Sequence, residues 1–436
     1  MHYYDEGKMK FSKSMVSKKK WLPVILCVFF MSALSAPCFG AGYGIYEWGT
    51  RGNALGGALI GRADDPSALA YNPAGITQLP GIQTMAGMTV ITPTIDINFE
   101  NSANGINGEA TDNTWLIPNA YYTHQLNDTY WLGFGVFSRA GLGTEFENEE
   151  EYAGRYNCTY AGVKSLSFNP NLAVKLTDHL SFAAGVEADW LDFSYDKFTN
   201  ATGDDVKIEV RADGWNYGYN FALHYKPSER LAFGASFRSE IALTVDGDAD
   251  YTAMAGASPL TEAWVSALKS NTGVGGTEPI PQLVSLGVMF SPVDRLTVEV
   301  DAVHTKWSAY NQLTFEFENR LGSRTSIKGW EDTWRFQVGL EYALFDWLDL
   351  QAGYVNDESP IPDEYVDYAV PANDRQIYTV GASFHRNQWT YDISCAYLTV
   401  KDRYITGRTW DNDNVYDATF ENGGSKMIGV SASCAF

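Results

Sequence analysis

The chain closes on MIGVSASCAF, Met427 to Phe436. Ile428, Val430, Ala432, Cys434 and Phe436 fall on one parity, with Met427, Gly429, Ser431, Ser433 and Ala435 on the other. Successive side chains of a strand point to opposite faces, so this stretch reads as a strand with one apolar face. The preceding stretch repeats the pattern, with Trp389, Tyr391, Ile393, Cys395 and Tyr397 on its apolar side. Further upstream, Trp334, Phe336, Val338, Leu340 and Tyr342 alternate with Arg335, Gln337, Gly339 and Glu341. Leu296, Val298, Val300 and Ala302 alternate with Thr297, Glu299 and Asp301, and Trp215 to Tyr225 does the same on its odd positions. A soluble sandwich also alternates. Trp and Tyr at the ends of the apolar sets, lengths near ten residues and the terminal aromatic favour a barrel in lipid. Cys395 and Cys434 then face lipid as small hydrophobes.

Composition agrees. The 436 residues are 45% hydrophobic and 19% charged, which excludes a disordered chain. A net charge of -22 argues against a nucleic-acid partner, which needs clustered Lys and Arg. A mean hydropathy of -0.22 argues against a helical membrane bundle, yet allows strands that are apolar at every second residue. Residues 1–40 read as a signal peptide: a basic region through Lys18 to Lys20, an apolar run from Trp21 to Leu34, and small residues near Gly40. That run is too short to span a membrane comfortably as an anchor. Without it the chain holds 25 basic and 51 acidic residues, a net of -26. Cys27 and Cys38 leave with it, and Cys158, Cys395 and Cys434 form neither a disulfide framework nor zinc spacing.

Turn signals fix the strand count. Short turns fall at Asn127-Asp128, Asp178-His179, Pro227 to Glu229, Pro292 to Asp294, Phe345-Asp346 and Arg386 to Gln388. Long polar connections fall near 101–113, 143–163, 198–212, 248–280, 308–332, 358–374 and 403–424. Thirteen connections predict a 14-stranded antiparallel transmembrane β-barrel over 83–436, with short turns at one end and long loops at the other. Residues 41–82 are glycine-rich, with Asp64-Asp65-Pro66 as a helix start, and do not alternate. A barrel this wide cannot fill its lumen with its own side chains. Residues 41–82 are therefore predicted to be a hatch plugging the lumen, with a periplasmic tail as the other option.

The terminal strand resembles the assembly signal of Gram-negative outer-membrane proteins, with Phe436 as its last residue. Beyond it, Ala41-Gly42-Tyr43, Ala63-Asp64-Asp65 and Tyr71-Asn72-Pro73-Ala74-Gly75 resemble the N-terminal hatch of the FadL/TodX family of outer-membrane hydrophobic-compound transporters. So do Gly141 to Phe146, Ser359 to Asp363 and Asp374-Arg375, and the likeness runs along the whole mature chain. It implies passive uptake of long-chain fatty acids or aromatic hydrocarbons, with cargo leaving sideways through a gap in the wall. Expected partners are the hydrophobic ligand, outer-membrane lipid and lipopolysaccharide, and the barrel-assembly machinery; the barrel is expected to be a monomer.

The same resemblance suggests Lys197 and Lys328 as head-group ligands. It places a lateral-opening kink at Gly141 and Gly143 of the third strand, with Asn72, Pro73 and Ala74 against the gap. Ser258-Pro259 starts a helix on which Leu260, Ala263, Trp264, Ala267 and Leu268 recur at helical spacing. Leu260, Trp264 and Leu268 are candidates for a hydrophobic capture groove, or else pack against neighbouring loops. Catalytic motifs are absent from the sequence, and no cofactor or metal is implied. Two other classes stay open: a general diffusion porin, or a barrel enzyme using inward groups such as Glu299, Asp301, Asp392 and His224.

Overall fold

The computed structural model describes residues 42–101, 105–111, 113–408 and 414–436. The predicted signal peptide, with Cys27 and Cys38, lies outside them. Among the described residues, fourteen strands join edge to edge into a closed antiparallel ring. They are β1 (Ile82–Phe99), β2 (Trp115–Gln125), β3 (Tyr130–Phe137, continued by Gly141–Glu145) and β4 (Tyr160–Lys175). Then come β5 (Leu180–Ala201), β6 (Asp204–Ser228), β7 (Leu231–Arg238, continued by Ile241–Ala253) and β8 (Thr272–Ile280, continued by Leu283–Val293). The ring ends with β9 (Leu296–Thr305), β10 (Thr333–Phe345), β11 (Leu348–Asp357), β12 (Arg375–Arg386), β13 (Trp389–Val400) and β14 (Ala418–Ala435). β14 pairs with β13 on one side and β1 on the other, so the terminal strand shuts the barrel. Phe436 follows it directly, its N–H donating to the Ile82 carbonyl at 2.8 Å.

The alternation is turned inside out relative to a soluble protein. Tyr217, Tyr219, Phe221, Trp334, Phe336, Ile428 and Val430 are exposed, while Asn220, Arg335, Gln337, Glu341, Glu299 and Asp301 are buried. An apolar exterior around a polar interior is stable only in lipid, and closure leaves no unpaired sheet edge there. No helix among the described residues is long and apolar enough to cross a membrane. Cys395 is exposed on the outer face of β13; Cys434, opposite Trp389, is buried.

All six short turns join strands at one end. At the other end, three of the expected loops are more ordered than their polarity suggests. Residues 198–212 are not a loop: β5 and β6 run through them and meet at Thr202-Gly203, both with positive φ. Their alternation continues, with Phe198 buried and Val206 and Val210 in an upper apolar cluster, while the outer face is polar because it stands above the lipid. The 248–280 region holds the upper parts of β7 and β8, and 308–332 holds a small hairpin, Gln312–Phe317 with Ser323–Ile327.

Residues 42–81 pack against the inner wall. Helix α1 (Thr50–Ala54) contacts β1 and β11 to β14, and the 3-10 turn Pro73–Gln78, which follows helix α2 (Ala68–Tyr71), contacts β3 to β6. Leu55, Leu59, Ile60, Leu69 and Ile76 form the centre of a buried cluster there. Polar bonds complete the fit. Asp301 accepts the N–H groups of Leu59 and Ile60 at 3.0 Å, and Glu299 accepts those of Gly61 and Arg62. Glu341 meets Arg51 at 2.8 Å and Arg62 at 2.5 Å, and both arginines bind Asp64. Pairing offsets the desolvation these buried charges incur, and removing either partner would leave an uncompensated charge in the lumen.

Candidate functional site

β6 and β7 lose their ladder between Asp213 and Asn220, but the interruption with a large cavity behind it lies between β2 and β3. Their ladder runs from Gln125↔Trp131 to Ala120↔Val136 and stops. Above it, Trp115 to Asn119 pair with β1 alone, while Gly141 to Glu145 pair with β4 alone. At about 3.3 Å per residue those five unpaired positions leave an opening about 16 Å tall. Its upper edge is latched: Thr111 N–H donates to the Glu145 carbonyl at 2.9 Å, Glu147 N–H to the Glu109 carbonyl at 3.0 Å, and the Asn113 side chain to the Glu145 carboxylate.

One inserted residue makes the kink. Phe137 pairs with Ser167 below it and Gly141 with Lys164 above it, so β3 spends four steps where β4 spends three. Such a bulge bends the strand and reverses its side-chain parity. Two neighbours satisfy the backbone freed there. The Ser165 hydroxyl accepts from Arg139 and Ala140 and donates to the Ala140 carbonyl at 2.8 Å. On the lumen side, Ile45 N–H donates to the Arg139 carbonyl and Gly141 N–H to the Tyr43 carbonyl, so Tyr43 to Ile45 lie as a short extended segment against the kink. The Arg139 guanidinium binds Glu187 at 3.2 Å, and Glu187 also binds Arg238 at 2.7 Å. Arg238 in turn donates to the carbonyls of Leu69 and Ala70 at the end of α2. One buried carboxylate thus ties the kink to the N-terminal segment.

A cavity of about 680 Å³ opens at this point. Ile45, Gly141, Leu142 and Val370 line it from within, and Leu116 and Pro118 from the outer face of β2. Gly141 and Gly143 are there because nothing larger fits. A Cβ at Gly141 would lie 2.2 Å from Ile45, and one at Gly143 would lie 2.0 Å from the Trp115 ring.

The other candidates lie elsewhere. Asn72, Pro73 and Ala74 do not sit against the gap: Asn72 Nδ2 donates to the carbonyls of Ile60 and Leu223, the latter on β6, while its Oδ1 accepts Ala74 N–H. Tyr43 to Ile45 hold the place expected of them, because only an extended segment can pair with the kinked backbone. Lys328 is buried against Asp367, which also accepts N–H groups of Ala369 and Val370. Lys197 is half-buried. The buried Cys158 thiol is pushed well up by burial and by the Asp367 charge, against the opposing charges of Lys328 and Lys197. Neither lines the 680 Å³ cavity.

Helix α3 (Pro259–Leu268) forms with Ser258 as its cap, but its face is rotated from the expected stripe. Thr261 and Leu268 are buried, Trp264 is half-buried under Arg320, and Leu260 is 65% exposed. Thr261 sets that face by bonding Asp204 and the Ala201 carbonyl. The inward acids considered for an enzyme are occupied: Glu299 and Asp301 as above, Asp392 by Ser383 and Ser431, and His224 by the Gly61 carbonyl. Sequence reasoning missed Trp115, Arg139, Glu187 and Arg238. A charge on the inward parity of a strand is the available signal for Glu187 and Arg238.

A closed ring with an apolar exterior, a lumen holding its own N-terminal segment and an interrupted wall with a cavity behind it defines an outer-membrane channel protein. The chain belongs to the OMPP1/FadL/TodX family of outer membrane transport proteins, whose profile matches residues 32–436. It is 21% identical to the long-chain fatty acid transport protein of Escherichia coli O6:H1 over 403 residues, covering 84% of this chain and 89% of that protein. It is 24% identical to outer membrane protein P1 of Haemophilus influenzae, covering 83% and 86%. Among solved structures, a Pseudomonas aeruginosa FadL homologue superposes with a TM-score of 0.82 at 18% identity, covering 91% of this chain and all of that one. The Ralstonia pickettii toluene transporter TbuX gives 0.66 at 15% identity, covering 90% and 100%.

Proposed function

We propose that this barrel takes up long-chain fatty acids or aromatic hydrocarbons passively and releases them sideways into the outer membrane. The observation that carries this reading is the opening between β2 and β3 with the 680 Å³ cavity behind it. An apolar cargo dropped into the periplasm loses burial worth about 25 cal/mol per Å², whereas lateral release retains it. Residues 1–40 serve as the signal peptide, 41–82 as the hatch and 83–436 as the barrel. The seating of Leu55 to Ile76 in the lumen supports the plug over a diffusion porin. Capture starts at the long loops, where exposed Leu260 and half-buried Trp264 offer apolar surface and Leu268 anchors α3. Lys197 and Lys328 hold an anionic head group once Asp367 is displaced. Phe436 directs assembly by the barrel-assembly machinery, and the product is a monomer set among lipopolysaccharide.

Trp at both Gly141 and Gly143 tests the route. Even a single added carbon at these positions would meet Ile45 at 2.2 Å or the Trp115 ring at 2.0 Å, so an indole at each fills the opening. Uptake is expected to stop while the protein still shows a heat-modifiable band and still binds ligand. Undiminished uptake by the folded variant sends the cargo through the hatch instead.

A further inference from the structure

Trp115 stands at the head of the unpaired half of β2, and its indole reaches across the opening. The ring lies on Gly143, so close that a Cβ there would sit 2.0 Å from Cε2 and 2.2 Å from Cζ2. Lys164, on the same edge of β4 that pairs with Gly141, holds its ammonium 5.9 Å from the ring centre. Both side chains line the 680 Å³ cavity. The indole Nε1 is buried and has no hydrogen-bond acceptor among the described residues. A buried N–H donor without an acceptor is unfavourable, and any acceptor entering the cavity relieves it. The nearby acids are engaged: Glu145 accepts from Asn113 and Thr111, and Glu47 accepts the Tyr46 N–H at 3.1 Å.

We propose that Trp115 is the selectivity residue of the wall opening: its ring closes the gap, and its N–H receives the head-group oxygen of a departing amphiphile, so carboxylated chains leave faster than hydrocarbons of equal length. The proposal rests on the lateral route and names the class of cargo that route favours. The ring swings without breaking a hydrogen bond, because its N–H has no acceptor in the closed state. Lys164, exposed at the outer lip, then offers a cation to the carboxylate as it clears the indole.

The test measures initial uptake of radiolabelled palmitate, hexadecanol and hexadecane in cells whose own carrier is deleted. Wild type is expected to favour palmitate over hexadecane by about tenfold, the scale of one hydrogen bond to a charged group. Trp115→Phe keeps the ring and removes the donor, so hexadecanol should slow to the hexadecane rate and palmitate should slow toward it, keeping only the share due to Lys164, while hexadecane is unchanged. Trp115→Ala should speed hexadecane, and Lys164→Met should slow palmitate alone. No discrimination in wild type, or equal slowing of all three probes in Trp115→Phe, overturns the proposal. If Trp at Gly141 and Gly143 blocks uptake while Trp115→Phe changes nothing, the lateral route stands and Trp115 is only a packing residue. If those glycine variants transport normally, the route itself fails.

Discussion

Two seams of one barrel behave in opposite ways. Between β1 and β14 the ladder runs from Gln83↔Ala435 to Phe99↔Ala418, with one irregularity at Thr94 to Asp96. Between β2 and β3 it stops after six pairs. The first seam joins the two ends of the sheet through a nearly continuous ladder. The second joins neighbours in sequence and needs Ser165, Tyr43 and Ile45 to satisfy what the ladder leaves free. In hydrocarbon an unpaired backbone group costs several kcal/mol, so an interrupted ladder persists only where the interior supplies partners. On the function proposed above, the closing seam serves assembly and the interrupted one serves passage.

Breaking the first seam should have the largest effect. Phe436 is 72% exposed, so its loss removes little packing. It does remove the N–H bond to Ile82 and the aromatic end of the strand that must register last. Deleting Phe436 should leave the protein exported but mostly without a heat-modifiable band. A normal band would mean that the ladder from Gln83 onward registers without a terminal signal.

The second seam can be probed by removing what lines it. Deletion of 43–80 takes away Tyr43 and Ile45 from the kink and every contact with Glu299, Asp301 and Glu341 made from that segment. The wild-type protein should be nearly silent in planar bilayers, and the deletion should conduct strongly. Equal conductance would make residues 41–82 a tail and favour a porin.

The sequence displays these seams unequally. β14 is legible because period-two alternation survives from Met427 to the last residue, and each of the six short turns carries a Pro, Asn or Asp signal. The bulge is not legible. Whether the chain from Phe137 to Gly141 counts as three or four steps depends on the partner Ser165 and on the distant Tyr43, neither of which marks β3 itself. Trp115 reads as an ordinary girdle aromatic at a strand end, and its unpaired N–H exists only once Gly143 is opposite. Helix α3 is legible in its Ser-Pro start, but its buried face is set by Asp204, across the β5–β6 turn. Local pattern gives elements; which face they show depends on partners far along the chain.

The smallest expected effect lies away from both seams. Lys328 and Asp367 are buried together in the long loops, and neither belongs to the β1–β14 ladder or the β2–β3 opening. Burial alone raises the Asp367 carboxyl, but the Lys328 charge and hydrogen bond outweigh it and hold the group below its ordinary value. A carboxyl depressed in the folded state lends stability above its unfolded pKa, and that contribution fades as pH falls through the lowered value. Loop order, read by limited proteolysis, should thus be constant near neutrality and decline only in acid below the usual carboxylate range. Asp367→Asn should abolish that acid step and leave the heat-modifiable band intact. Replacing Lys197 and Lys328 together by Met separates the loops' structural role from their binding role. Fatty-acid affinity should fall relative to neutral alkylbenzenes by about 1.5 kcal/mol, the lower end for a charge-assisted bond, since Asp367 competes for Lys328. Equal loss for both ligands would mean that the lysines only order the loops, leaving the wall opening as the one place where cargo charge is read.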